Sequence, residues 1–362
     1  MSFFAEYPQQ RYTVSNVTVQ REVLLPGGIT GVLNVRDGQR VEINTIIARG
    51  QLPARHHIVE AAALLRLRRP EQLDELVTVS VGDPVEEGER LTTKGRRVVS
   101  PVFGTVAGIE SGRIIIREDA EEVEVVAGMA GWVTDIRPRR GAVIQAAANV
   151  VQGIWGNGKR AIGAMRVEPE DGLEFIQGDS INLEWRGAIV LSRRPLTEIG
   201  MGIMEEQDIA GVIAPGMDST LIGAAMQMDR AIMLTEGFGE SRISLSVLNF
   251  ITETIEENRN IRGTLDAVTP DPLEARRPEL IMNIAVREGN EPPPPRTIDR
   301  LRNNMRVKVT TPPYTGQVGT IVDLPLTPTR IEGGIRTYVA TVQLTSGERL
   351  NVPIANLEVF AG

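Results

Sequence analysis

Near its end the chain reads Arg306-Val307-Lys308-Val309, then Pro313-Tyr314-Thr315-Gly316-Gln317-Val318-Gly319-Thr320-Ile321-Val322, then Ala340-Thr341-Val342-Gln343-Leu344. Apolar residues recur at every second position, the period that half-buried strands require. Val307 and Val309 face one way, and Val318, Thr320 and Val322 repeat the pattern. Gly316 and Gly319 sit where a tight turn meets a strand, where a missing Cβ lets the chain bend. A hairpin across 344–352 follows, and Leu357-Glu358-Val359 closes the run.

These residues resemble the KOW-type SH3-like barrel of ribosomal and transcription-elongation proteins, over 305–362. The resemblance implies a docking module whose loops touch protein or RNA. Its candidate contacts are Arg306, Lys308, Tyr314, Arg336 and Arg349, a basic set with one aromatic ring able to stack on a base. Asp323, Glu332, Glu348 and Glu358 dilute that charge and favour docking to protein, or within the chain, over RNA. Before the module lies a Pro-rich linker at 287–304, whose Glu291-Pro292-Pro293-Pro294-Pro295-Arg296 is expected to act as a semi-rigid spacer.

Composition narrows the function classes. The net charge of −8 argues against a protein whose main task is coating nucleic acid. There is no cysteine, which removes disulfides, thiolate catalysis and zinc-thiolate sites, and the only histidines are His56 and His57. No cofactor and no metal site is expected. The amino terminus, Met1 to Pro8, lacks the basic start and apolar core of a signal peptide, and no apolar stretch is long enough to span a membrane, so a cytoplasmic location is expected. With aromatics at 4%, cores must be built from aliphatic residues and methionine.

Residues 1–152 read as a β domain with a weak internal repeat. The half-motif Val79-Ser80-Val81-Gly82-Asp83-Pro84-Val85-Glu86-Glu87-Gly88-Glu89-Arg90-Leu91 echoes Gly31 to Asn44, and Ser100-Pro101-Val102-Phe103-Gly104-Thr105-Val106 follows. The segments resemble the barrel-sandwich hybrid of lipoyl and biotinyl domains. A carrier of that kind needs an attachment lysine at a hairpin tip; Lys94 follows the repeat instead, so a structural domain is expected. Ala61, Leu64, Leu65 and Leu67 suggest a helical insertion near 56–69.

Residues 153–286 change period. Apolar strands at 187–192, 210–214 and 231–235 alternate with helices at 195–207, 218–228 and 244–258, the pattern of a small parallel α/β layer. Ligands gather at the carboxyl ends of such strands. The candidates there are Arg193, Arg194, Gly216, Asp218, Ser219, Glu236, Gly237 and Gly239. Free backbone N–H groups would hold an anion, and either arginine would supply the counter-charge; the plainer reading makes Asp218 and Ser219 helix caps. Gly153-Ile154-Trp155-Gly156-Asn157-Gly158-Lys159-Arg160 mimics a phosphate loop, but Arg160 stands where a Ser or Thr must hold magnesium. A structural glycine turn with an exposed Lys159 is expected.

The fold class expected is therefore multidomain and β-rich: a barrel-sandwich-like domain, a parallel α/β layer and a terminal SH3-like barrel. The function expected is that of a non-catalytic scaffold or binding protein that self-associates through its β modules. One alternative is an RNA-, ribosome- or transcription-associated factor acting through the last module. A second is a small-ligand sensor or enzyme using the α/β loops.

Overall fold

A computed structural model describes residues 13–95, 97–176, 182–258, 260–270, 276–286, 291–295, 301–331 and 333–359. The expectations placed on Met1 to Pro8, on Glu332 and on Arg296 fall outside them. The chain is β-rich, with several sheets and, among the described residues, no closed barrel.

In the first region, strands β1 (Thr13–Leu24), β2 (Gly31–Leu33), β3 (Ile46–Gln51) and β4 (His56–Val59) precede a one-turn helix α1 (Ala61–Leu64). Strands β5 (Gly104–Glu110), β6 (Arg113–Glu118), β7 (Glu122–Val126), β8 (Gly131–Arg137) and β9 (Gly141–Gln152) follow. β2, β3 and β7 form one small sheet; β4, β6 and β5, with Pro84–Val85, form another. The second encloses Val59, Val85, Leu91, Val98, Val106, Ile114 and Ile116, so residues from both quoted half-motifs share one core.

The helix expected over 56–69 begins instead as a strand, His56–Val59, and is helical only over Ala61–Leu64. His56, His57, Ile58 and Val59 pair residue for residue with Arg117, Ile116, Ile115 and Ile114. Ile58 and Val59 are β-branched and suit a strand better than a helix. The remaining helix stops before Arg66, which has a positive φ.

The central region contributes β10 (Lys159–Val167), β11 (Ile189–Leu191), α2 (Glu198–Glu206), β12 (Gly211–Met217), α3 (Ile222–Gln227), β13 (Ala231–Phe238), α4 (Leu245–Glu257), β14 (Arg262–Ala267) and β15 (Glu279–Asn283). β10 to β13 are parallel and adjacent in chain order. Val190, Val212, Ala214, Ile232 and Leu234 pack on one face with residues of α2 and α3. Ile189, Leu191, Ile213, Ala231 and Met233 point to the other face, against Val247 and Ile251 of α4. Strands buried on both faces become continuous apolar runs, which is why these were readable in the sequence. Each Val, Leu, Ile or Met side chain among them contributes about 2 kcal/mol by leaving water.

The sheet does not stop at residue 152. β14 and β15 continue it antiparallel from β10, β15 pairs with β9, and β9 pairs with β8 and β1, giving an eleven-stranded sheet. The first two regions thus share one hydrogen-bonded sheet. The phosphate-loop look-alike lies inside it: Trp155 and Gly156 pair with Leu234 and Met233 of β13, and Lys159 opens strand β10 where a phosphate loop needs a helix. Lys159 Nζ is bonded to Asp229 at 2.8 Å.

The last region forms β16 (Arg306–Val309), β17 (Val318–Asp323), β18 (Val339–Leu344), β19 (Arg349–Pro353) and β20 (Leu357–Val359). Their order is β19-β18-β17-β16-β20, an antiparallel sheet whose outer strands are not paired with each other. Its core holds Val307, Val309, Ile321, Ala340, Val342 and Val359. On β17 the buried positions are Gly319 and Ile321, with Val318, Thr320 and Val322 on the less buried face. The polyproline run does not hang free: Thr18 of β1 donates its N–H to Pro293 O at 3.0 Å and its hydroxyl to Pro292 O.

Candidate functional site

The carboxyl ends of β10, β11 and β12 surround a cavity of about 440 Å3, lined among others by Glu168, Ser192, Arg194, Thr197, Asp218 and Glu240. Two local devices shape it. Thr197 caps α2, its Oγ1 accepting the Gly200 N–H at 3.0 Å, and its hydroxyl also donates to Glu174 at 2.5 Å. Asp218 caps the turn at Ser219–Leu221, accepting the Thr220 N–H at 2.8 Å and the Thr220 hydroxyl at 2.7 Å, bonds that hold its carboxyl below the ordinary value. The capping reading of Asp218 is the one observed, and Asp218 also lines the cavity. Ser219 begins the turn and is exposed.

The arginines do not present free guanidinium groups to the cavity. Arg193 donates to Glu168 O at 3.0 Å, and Arg194 donates to the carbonyls of Glu170 and Asp171. Both therefore clamp the segment after β10 onto the end of β11. Glu168, which the sequence reading did not single out, completes the clamp. It is buried, and its carboxylate accepts the Ser192 hydroxyl at 2.7 Å and the Arg193 N–H at 2.6 Å. Nothing in its local sequence marks it, because its partners come from the next strand. Glu168, Asp171, Glu174, Glu198, Asp218 and Glu240 outnumber Arg194 around the cavity, so its field suits a cationic or hydroxyl-rich group better than the anion expected from the loops.

The glycines serve backbone approach. A Cβ on Gly216 would lie 2.7 Å from Gly239 O and 2.9 Å from Gly237 O, so only glycine lets the ends of β12 and β13 close. Gly237 and Gly239 have φ of 107° and 113°, a region in which side chains are strained.

Glu236 is the junction of two sets of candidates. It sits at the end of β13, and its carboxylate forms an ion pair with Lys308 of β16, side-chain exposures being 2% and 1%. Lys308 also lies 3.8 Å from Glu358. The alternation in β16 explains the geometry. Val307 and Val309 fill the core of the C-terminal sheet, so Lys308 projects from the opposite face, onto the end of β13. Lys308 is therefore an interior residue, a correction to its reading as a surface contact: the α/β layer covers the face on which it stands. Ser244 donates its N–H to Glu236 at 3.3 Å, and Gly316 lies close by, where a Cβ would be 3.9 Å from the Glu236 carboxylate.

The remaining C-terminal candidates stay at the surface. Arg306, Arg336 and Arg349 are exposed; Arg349 bonds Gln343 at 3.3 Å, and Tyr314 is half-buried with its hydroxyl on Glu348 at 2.9 Å. In the first region, His57 Nε2 lies 3.0 Å from Glu118 and His56 is exposed. Among the described residues no three His, Cys, Asp or Glu are placed to hold a metal ion, and no helix is long and apolar enough to cross a membrane.

No protein-family model matches this chain, and no curated protein matches it.

Proposed function

We propose that this chain is a non-catalytic, cytoplasmic binding protein whose C-terminal module, a KOW-like relative of SH3 barrels, is an intra-chain docking element locked onto the α/β layer. The observation that carries the reading is the buried pair between Lys308 and Glu236. Burying an ammonium is unfavourable unless a carboxylate meets it in good geometry. A lysine placed for RNA would remain in solvent. The polyproline run supports the same reading, since Thr18 fastens it to β1. The first region, with its likeness to barrel-sandwich domains, serves as structural framework; Lys94 follows Thr92 in a turn, where the Thr92 hydroxyl bonds the Lys94 carbonyl at 2.6 Å.

In this reading the chain self-associates or binds protein through its open sheet edges. Such edges present unpaired N–H and C=O groups that template a further strand. The native mass of the purified chain, measured with and without nuclease, tests it. A mass unchanged by nuclease is expected. A fall in mass with release of nucleotide would replace it with the second reading, in which Arg306, Arg336 and Arg349 contact RNA. That reading is favoured only by the exposure of these three arginines on one module.

A further inference from the structure

A second cavity, at the amino end of β10, shares no lining residue with the first. Strand register aligns four polar side chains across the main sheet: Arg160 stands opposite Asp266, Asp266 opposite Glu279, and Glu279 opposite Gln152. Their neighbours Ala161, Leu265, Leu280 and Val151 belong to the core under α4. Alternation therefore puts the polar row on the face away from α4. With Arg21 and Arg276, the row lines a cavity of about 750 Å3.

Most charges in this cavity are matched. Arg21 forks onto Glu279, with Nε–Oε1 2.5 Å and Nη2–Oε2 2.6 Å. Glu22 is held by Arg137 at 2.8 Å, and Arg276 lies 3.9 Å from Asp266. Arg160 is different. Its guanidinium makes no hydrogen bond and no ion pair among the described residues, and crowding by protein lowers its pKa against the opposing pull of Asp266 and Glu279. Arg160 is exposed, with its guanidinium lying against Gly128. A Cβ on Gly128 would lie only 2.0 Å from Arg160 Nη2, so the guanidinium fills the space that glycine leaves open. Thr264, beside it in the cavity wall, donates its hydroxyl to Gly128 O and fixes that turn.

An exposed guanidinium that lies against Gly128 and makes no hydrogen bond or ion pair among the described residues is suited to a planar or tetrahedral oxyanion. The space far exceeds a bare ion and falls within the range of small-molecule sites. We propose that this cavity binds a phosphorylated small molecule, with Arg160 on the phosphate and Asp266 and Gln152 on the hydroxyl groups of its body. The residue that disqualifies 153–160 as a phosphate loop thus recognises phosphate by a different geometry, through its side chain instead of backbone N–H groups.

Calorimetric titration of the full chain with inorganic phosphate, ribose 5-phosphate and ribose tests the proposal. Ribose 5-phosphate is expected to bind saturably and more tightly than inorganic phosphate, and ribose not at all. Arg160→Gln is expected to weaken ribose 5-phosphate by about tenfold or more, with Arg160→Lys intermediate. Absence of saturable binding by either phosphate compound would overturn the proposal, as would unchanged affinity in Arg160→Gln. Phenylglyoxal labelling of the unsubstituted chain, read by peptide mass spectrometry, gives an answer even where the variant does not fold. Ribose 5-phosphate should protect Arg160 and leave exposed Arg336 reactive; equal labelling of Arg160 with and without it would contradict the site.

Discussion

The ammonium of Lys308 and the carboxylate of Glu236 meet in the interior, joining the first strand of the C-terminal sheet to the last parallel strand of the α/β layer. Removing one partner leaves the other charge buried, which costs about 3–5 kcal/mol. Lys308→Ala is therefore expected to lower unfolding stability by that order. Amide exchange should report it locally, with faster exchange in 306–309 and 231–238 than in the unaffected β4–β6 sheet. Unchanged exchange in both strands would show that the pair does not hold the modules together.

Gly216 makes a steric prediction. Its missing Cβ lets the ends of β12 and β13 approach, with two backbone carbonyls in the way of any side chain. Backbone cannot move aside cheaply, so Gly216→Ala should destabilise by about 2–4 kcal/mol. Gly223→Ala, in α3 with open space around it, should be neutral or stabilising by up to about 1 kcal/mol. Urea unfolding of the two variants checks the contrast.

The clamp on the segment after β10 is also testable. Arg194 bonds two carbonyls there, while Arg193 and Ser192 hold Glu168. Arg194→Ala should raise amide exchange across 168–176 and cost about 1–2 kcal/mol. Glu168→Ala should cost more, because Ser192 and the Arg193 N–H lose a buried acceptor.

Acid titration separates two kinds of carboxylate. Hydrogen bonds from Arg186, with Arg230, hold Asp208 below its ordinary pKa. Its folded value lies below its unfolded one, so its contribution is complete at neutral pH and is lost as pH falls through the folded value. Asp266 is the reverse: burial raises its pKa. Its contribution is present below the unfolded value and is lost as pH rises through the folded one. Stability curves against pH should therefore lose part of their acid slope in Asp208→Asn, whereas Asp266→Asn should gain stability at neutral pH relative to the unsubstituted chain.

How much of this was legible in the sequence depended on how locally each element is determined. The strands and helices between Ile189 and Glu257 follow from apolar runs and a 3.6-residue period, and the structure places them within a few residues of the expected bounds. The stretch His56 to Leu67 misleads because a short strand runs directly into a short helix, and its apolar spacing fits one helix. Glu236 and Lys308 were each legible as candidates, but for different partners, since only the tertiary fold brings the end of β13 onto β16. Arg160 and Glu168 carry no local signal of their roles. The first is defined by cross-strand register with Asp266, the second by a serine and a backbone N–H on the neighbouring strand.

The most direct test of the docked architecture is a double-mutant cycle on Lys308→Met and Glu236→Gln, followed by chemical unfolding of the full chain. Each single change should destabilise strongly, and the double variant should lose far less than their sum, with a coupling of at least about 2 kcal/mol. Additive losses, with coupling near zero, would contradict the claim that this pair locks the C-terminal module to the α/β layer.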